Sequence, residues 1–110
     1  MIKDTLKKIE ERLQKAETIR RENKTELLSL ISTLKEEIAE LSETHTEQAE
    51  SIAGFAELST REATRTGKNP ELLKLSIEGL SASVQEFEST HPKLVGIVNS
   101  ICSMLFSLGI

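Results

Sequence analysis

The stretch that decides the fold is residues 87–110, which read FESTHPKLVGIVNSICSMLFSLGI. From Leu94 onward it holds no charged residue, although 29% of the residues in the chain are charged. Its apolar residues alternate spacings of three and four, which is typical of one face of an α-helix. The rhythm continues back across Pro92 to Val84. Proline removes a helix hydrogen bond, so we expect a kink at His91 and Pro92 within one nearly straight helix.

Composition favours an all-α fold in a single domain. The 110 residues contain three aromatic residues, two prolines and five glycines, and they are rich in Leu, Glu, Lys and Ala. A chain of this length forms one modest core. Residues 1–24 hold eight basic and five acidic residues, a net charge of +3, and residues 25–110 hold six and thirteen, a net charge of −7. This asymmetry indicates attraction within the chain more than a nucleic-acid surface.

Three helices are predicted, over residues 2–21, 25–66 and 70–108. Asn23, followed by Glu26, has the spacing of a capping box and places a turn near residues 22–24. Gly67, Asn69 and Pro70 mark the second turn, as a helix C′ residue, an N-cap and a first helical position. A break in the second helix near residues 42–46 is the alternative, but no glycine or proline supports it.

The second and third helices are predicted to form an antiparallel hairpin of about 60 Å, from the rise of 1.5 Å per residue. The first helix is half as long, so it covers only residues 25–44 and 92–110 as a three-helix, coiled-coil-like bundle. Residues 45–91 then form a bare two-helix arm, whose exposed apolar seam predicts a homodimer or a higher symmetric oligomer. The predicted contact residues are Ile52, Phe55, Leu73, Ile77, Leu80, Val84 and Phe87.

The two histidines, His45 and His91, fall at the same level of the predicted hairpin. We interpret them as packing or capping residues at the kink. A metal site and a pH-sensitive contact are the alternatives, and no Cys or Asp lies at ligand spacing beside them.

The charge-free segment 94–110 approaches the length of a membrane-spanning helix. It carries a stripe of small residues, which suits either helix packing in a membrane or the buried helix of a soluble bundle. The soluble interpretation is favoured. The stripe consists of Gly96, Asn99, Ser100, Ser103 and Ser107.

No pattern of catalysis or cofactor binding is recognisable. Gly67-Lys68 lacks the earlier glycine of a phosphate-binding loop, and no serine follows a strand–turn–helix pattern. Cys102 is the single cysteine, so no disulfide forms within one chain and a reducing compartment fits. The sequence therefore predicts a cytoplasmic protein that is not an enzyme and has no cofactor, no metal and no nucleic-acid partner.

The C-terminal residues also resemble a known family. Phe87-Glu88, His91-Pro92 and Leu94, with the closing LGI at residues 108–110, are similar to the C-terminal signature of a small bacterial family, the domain of unknown function number 4404. Leu27-Leu28 and the run 31–41 are similar to that family's second helix. Residues 51–73 are longer than in the usual member and depart from its pattern. The resemblance implies a bacterial helical protein and supplies no catalytic residues.

The function predicted from these observations is a self-associating structural or protein-interaction module. The first alternative is a membrane-peripheral protein that uses the apolar helix 94–110. A further alternative is an accessory factor of chromosome partitioning, because long variants of the family carry that label. This chain lacks the nucleotide-binding motif of a partitioning ATPase, so the label would describe a partner.

Overall fold

The computed structural model describes residues 2–109 and is all-helical. Its five α-helices are α1 (Ile2–Lys15), α2 (Arg21–Leu41), α3 (Thr46–Thr64), α4 (Pro70–Val84) and α5 (Pro92–Gly109), and a 3-10 turn at Gln85–Phe87 follows α4. No strand occurs among these residues. The helices α1 and α2 each bury one apolar face. The buried residues of these faces are Leu6, Ile9, Leu13, Leu27, Ile31, Leu34, Ile38 and Leu41.

The helix α3 lies at the centre of the bundle and contacts each of the other four helices. Its buried face is built largely from small side chains, which let neighbouring helices approach closely. Lys68, just beyond α3, donates from Nζ to the carbonyl oxygens of Ala63 and Leu108, both at 2.9 Å. The ammonium thus joins the C-terminal ends of α3 and α5, which carry partial negative charge. The small buried residues of α3 are Ala49, Ala53, Ala56, Ser59, Thr60 and Ala63.

The helix α1 packs against α2 and α3, and within residues 2–109 it contacts neither α4 nor α5. Arg12 donates from Nε to Thr64 Oγ1 at 2.7 Å, which ties the C-terminal turns of α1 and α3 together. The expected packing of the first helix across residues 92–110 is therefore wrong. It covers α3 instead, because α3 offers a face of small residues.

The connection between α1 and α2 differs from the predicted turn. The first helix ends at Lys15, and α2 begins at Arg21 without a side-chain cap, so Asn23 lies inside a helix. Ile19 explains the early end, because it is buried in the core within the connecting segment. Lys24 completes the connection by donating from Nζ to the Gln14 carbonyl at 3.1 Å.

The second predicted helix, residues 25–66, is two helices separated at residues 42–45. Hydroxyl groups occupy this segment: Ser42 Oγ donates to the Ala39 carbonyl at 2.8 Å, and Thr46 Oγ1 donates to the Ser42 carbonyl at 2.9 Å. Such side-chain bonds offer the backbone an alternative to the helical pattern. A helix is therefore interrupted here without glycine or proline, and the prediction of continuity is wrong.

The third predicted helix, residues 70–108, also divides. Cys102 Sγ lies 3.9 Å from the carbonyl oxygen of Ile77, and Gly109 lies against the side chain of Leu73. A continuous helix would separate residues 77 and 102 by about 37 Å. The segment 85–91 is thus a reversal and not a kink, with α4 and α5 side by side, and Pro92 is the first residue of a new helix.

The start of α4 is the predicted boundary that the structure confirms. Asn69 is its N-cap, with Oδ1 accepting from the Leu72 N–H at 3.2 Å, and Pro70 follows. Gly67 does not adopt the expected left-handed backbone, since no glycine among residues 2–109 has a positive φ.

The predicted 60 Å hairpin is not formed. The molecule measures 37 × 24 × 23 Å. Its two breaks fold the hairpin's halves beside each other, while pairing within each half remains antiparallel. Phe55 meets Gly79 between α3 and α4, and Glu37 pairs with Lys93 at 3.8 Å between α2 and α5.

Candidate interaction surface

The residues predicted to form an oligomer contact are mostly interior residues of one chain. Phe55 is 37% exposed, and Ile77 is partly buried against the core. A single copy therefore covers most of the seam that the two-helix arm was expected to leave open, and Phe55 is the member of the set that stays exposed. The buried members of the set are Ile52, Leu73, Leu80, Val84 and Phe87.

A different apolar surface is exposed on the outer side of α3 and α4. Leu72 is 44% exposed and Leu75 is 61% exposed. They are three residues apart on one helix and so are neighbours on its surface. Phe55 from α3 lies against Gly79, one turn beyond Leu75. We call Phe55, Leu72 and Leu75 the outer patch.

Gly79 positions the aromatic member of the outer patch. A methyl group at Gly79 would overlap the Phe55 ring. The absence of a side chain thus lets the ring lie against the backbone of α4 and continue the row formed by Leu72 and Leu75. The result is one apolar surface built by two helices.

The charged residues beside the outer patch have opposite signs. Glu71, Lys74 and Glu78 lie on α4 next to it and are exposed. None of these three has an ion-pair partner in the part of the chain that the structure describes. The border of the patch therefore offers both signs of charge to a partner.

Leu72 and Leu75 were not among the predicted contact residues. The signal in the sequence is the doublet Leu72-Leu73, followed by Leu75, which lies between the seam positions Leu73 and Ile77. A single apolar stripe through Leu73 and Ile77 does not include Leu72 and Leu75, so these two residues indicate a second apolar face on α4.

The two histidines do lie together, as their equal level in the predicted hairpin suggested. The ring centroids of His45 and His91 are 6.3 Å apart, and each lies 5.4 Å from the buried Phe87 ring, edge to face. The three rings join the break between α2 and α3 to the reversal between α4 and α5. This packing accounts for both histidines as structural residues, and a pH-sensitive contact stays a prediction.

Both histidines sit in the same local structure. A hydrogen bond joins Thr44 Oγ1 to His45 Nδ1 at 2.7 Å, and its equivalent joins Thr90 Oγ1 to His91 Nδ1 at 2.9 Å. The backbone N–H of each histidine donates to the backbone carbonyl four residues earlier. The sequence signal for this pair is the repeated Thr-His dipeptide, 46 residues apart, at two places where a helix ends.

Cys102 is buried between α5 and α4. Burial raises the pKa of its thiol from 9.0 to about 11, because the thiolate would be poorly solvated there. The thiol therefore stays protonated at neutral pH and is a poor nucleophile.

The helix α5 exposes the polar stripe that the sequence placed on it. Asn99, Ser100, Ser103 and Ser107 face outward, while the aliphatic face packs against α2, α3 and α4. By length and composition alone α5 is able to cross a membrane, and 28% of it is buried in the bundle.

Within residues 2–109 no group of three or more His, Cys, Asp or Glu side chains is placed to hold a metal ion. Comparison with known proteins found no matching family model, curated protein or solved structure. The resemblance to family 4404 therefore stays a prediction.

Proposed function

We propose that this chain is a non-enzymatic protein-interaction module that self-associates through the outer patch. The observation that carries the proposal is the exposure of three large apolar side chains on adjoining helices, with Leu75 61% exposed. Contiguous apolar surface of this kind marks interaction sites on small proteins. The predicted self-association is thereby assigned to residues other than the interior seam.

A second copy of the chain is the partner that the charges favour. A twofold axis requires one surface to be complementary to itself. If two α4 helices pair antiparallel about an axis between Leu72 and Leu75, Lys74 of each copy lies about 3 Å along the helix axis from Glu71 of the other. The opposite charges beside the patch then meet across the interface.

Sedimentation equilibrium of the whole chain tests the proposal. We expect the wild type to form dimers at micromolar to submillimolar concentration, and Leu75→Glu to weaken association at least tenfold by burying a charge in the contact. Phe106→Glu is the matched control, because Phe106 is 47% exposed on α5 and lies outside the patch. A monomeric wild type, or equal effects of the two variants, contradicts the proposal.

A charge reversal tests the geometry of the pairing. Lys74→Glu and Glu71→Lys should each weaken the dimer, and the double variant should recover part of the lost affinity, because the pair is restored with its signs exchanged.

Flotation with liposomes separates this function from a membrane-peripheral one. A dimer that stays with the soluble fraction supports the outer patch, whereas lipid binding by the wild type supports a role for α5.

A further inference from the structure

A groove between α1 and α2 combines an apolar floor with a cationic rim. Its volume is about 570 Å³, and Ile2, Leu6 and Ala39 line it together with Lys3 and Lys7. All of its lining residues belong to α1, to α2 or to the residue after α2, and none belongs to α3 or α4. It therefore shares no residue with the outer patch.

Small side chains on α2 keep the groove open. Lys35, Ala39 and Ser42 follow one another at spacings of four and three, so they face α1 along one side of α2. Ala39 and Ser42 fill little space, and the larger Lys35 closes the groove at one end through its ion pair with Glu10 at 2.9 Å. The open part lies beyond that ion pair.

The charge of the open part is positive. Lys3 and Lys7 are four residues apart on α1, where two like charges repel each other. Neither has an ion-pair partner among residues 2–109. The single carboxylate of the groove, Glu10, is held by Lys35. A bound anion would relieve the repulsion between the two ammonium groups.

We propose that this groove binds a single-chain amphiphile with an anionic head group, such as a fatty acid. The hydrocarbon chain lies on Ile2 and Ala39, above the buried Leu6, and the head group lies between the ammonium groups of Lys3 and Lys7. The apolar floor and the unpaired cations at its edge select a ligand that carries both features. A small anion lacks the chain, and a neutral or cationic amphiphile lacks the charge.

Titration calorimetry and NMR shift mapping with octanoate, decanoate and dodecanoate, all below their critical micelle concentrations, test this site. We expect affinity to rise about twofold to fourfold for each added methylene. The lower value corresponds to partial burial of the methylene and the higher value to full burial. Dodecyltrimethylammonium has the same chain with the opposite charge and should bind at least tenfold more weakly. Amide shifts should fall on residues 2–10 and 35–42.

Two variants test separately how the apolar floor and the cationic rim contribute to binding. Ala39→Leu fills the groove and should lower dodecanoate affinity at least tenfold while the chain stays folded, since Ala39 is exposed. The double variant Lys3→Gln with Lys7→Gln should remove the preference for the anionic head group. Lys8→Gln, on α1 but outside the groove, is the control and should leave binding unchanged.

Several results would overturn the proposal. These are affinity independent of chain length, full binding by Ala39→Leu, and shifts that map to the outer patch. Binding to anionic vesicles without binding to monomeric dodecanoate would assign the lysines to a membrane surface instead. A change in sedimentation mass caused by Ala39→Leu would assign the groove to a second copy of the chain.

Discussion

Gly79 is a residue whose missing side chain shapes the surface. The Phe55 ring occupies the space that a methyl group there would need. Gly96 on α5 is the opposite case, since it is exposed and nothing lies within 4 Å of the position of its missing methyl group. Both lie inside helices, where glycine costs about 1 kcal/mol relative to alanine.

We expect Gly96→Ala to stabilise the protein by about 0.5–1 kcal/mol, because only the helix propensity changes. Gly79→Ala should change the free energy of unfolding at least about 1 kcal/mol less favourably than Gly96→Ala does, because the Phe55 ring must leave its contact. Urea unfolding of both variants measures the difference.

A Phe55→Ala background supplies the control for this comparison. Without the ring, Gly79→Ala should stabilise as Gly96→Ala does. Equal gains from both glycine substitutions in the wild-type background would show that Phe55 moves at no cost.

The Cys102 thiol makes stability depend on alkaline pH. Burial raises its pKa in the folded chain to about 11. The folded state thus holds the proton more tightly than the unfolded state, so the thiol's contribution is complete below pH 9 and is lost as pH rises toward 11. The loss amounts to at most about 3 kcal/mol.

Urea unfolding of the wild type and of Cys102→Ala between pH 8 and pH 11, under reducing conditions, measures this loss. The wild type should lose its advantage over the variant as pH increases. Parallel curves for the two proteins would contradict the role assigned to burial of the thiol.

The helix starts differ in how they are capped. Asn69 accepts a hydrogen bond from the Leu72 N–H at the start of α4, whereas Arg20 at the start of α2 makes no side-chain cap bond. We expect Asn69→Ala to destabilise the protein by about 1 kcal/mol, because the Leu72 N–H at the start of the helix loses its acceptor. Arg20→Ala should change stability by less than about 0.5 kcal/mol. Thermal unfolding measures both, and equal effects would show that the Asn69 bond contributes nothing.

The helix breaks explain why one apolar rhythm ran across two helices. The seam positions Val84 and Leu94 are both buried, although the chain reverses between them. Because α4 and α5 face the same core, each keeps its apolar residues in phase with that core. Continuous rhythm therefore shows which residues face inward, and it does not show that the helix is continuous.

The whole molecule is short and compact. Its Cα radius of gyration is 12.9 Å, close to the value of about 13 Å expected for a globular chain of this length. A straight hairpin of 60 Å would give at least about 17 Å from its length alone. Small-angle scattering of Leu75→Glu, at a concentration where sedimentation shows a monomer, should give a radius of gyration within about 2 Å of the compact value of 12.9 Å. A monomer near 17 Å would restore the extended arrangement.

The outer patch shows how far the site could be predicted. Phe55 was expected in the oligomer contact and is exposed, whereas its predicted companions are buried or, for Ile77, partly buried. The apolar character of these companions correctly indicated that they are buried. Whether a second copy or another helix of the same chain buries them depends on the path of the backbone, which periodicity does not report. Leu72 and Leu75 became recognisable once the seam of α4 was known to face inward.

The sequence by itself determined the helical class and most of the buried residues of the helices. These properties follow from local periodicity and from residues such as Asn69 and Pro70. Only the tertiary structure decided where the long helices break and which helix covers α3. The breaks at 42–45 and 85–91 exchange helical hydrogen bonds for side-chain and turn bonds, at a cost that burial against distant helices offsets. That balance depends on contacts between residues far apart in the chain, such as Leu73 with Gly109.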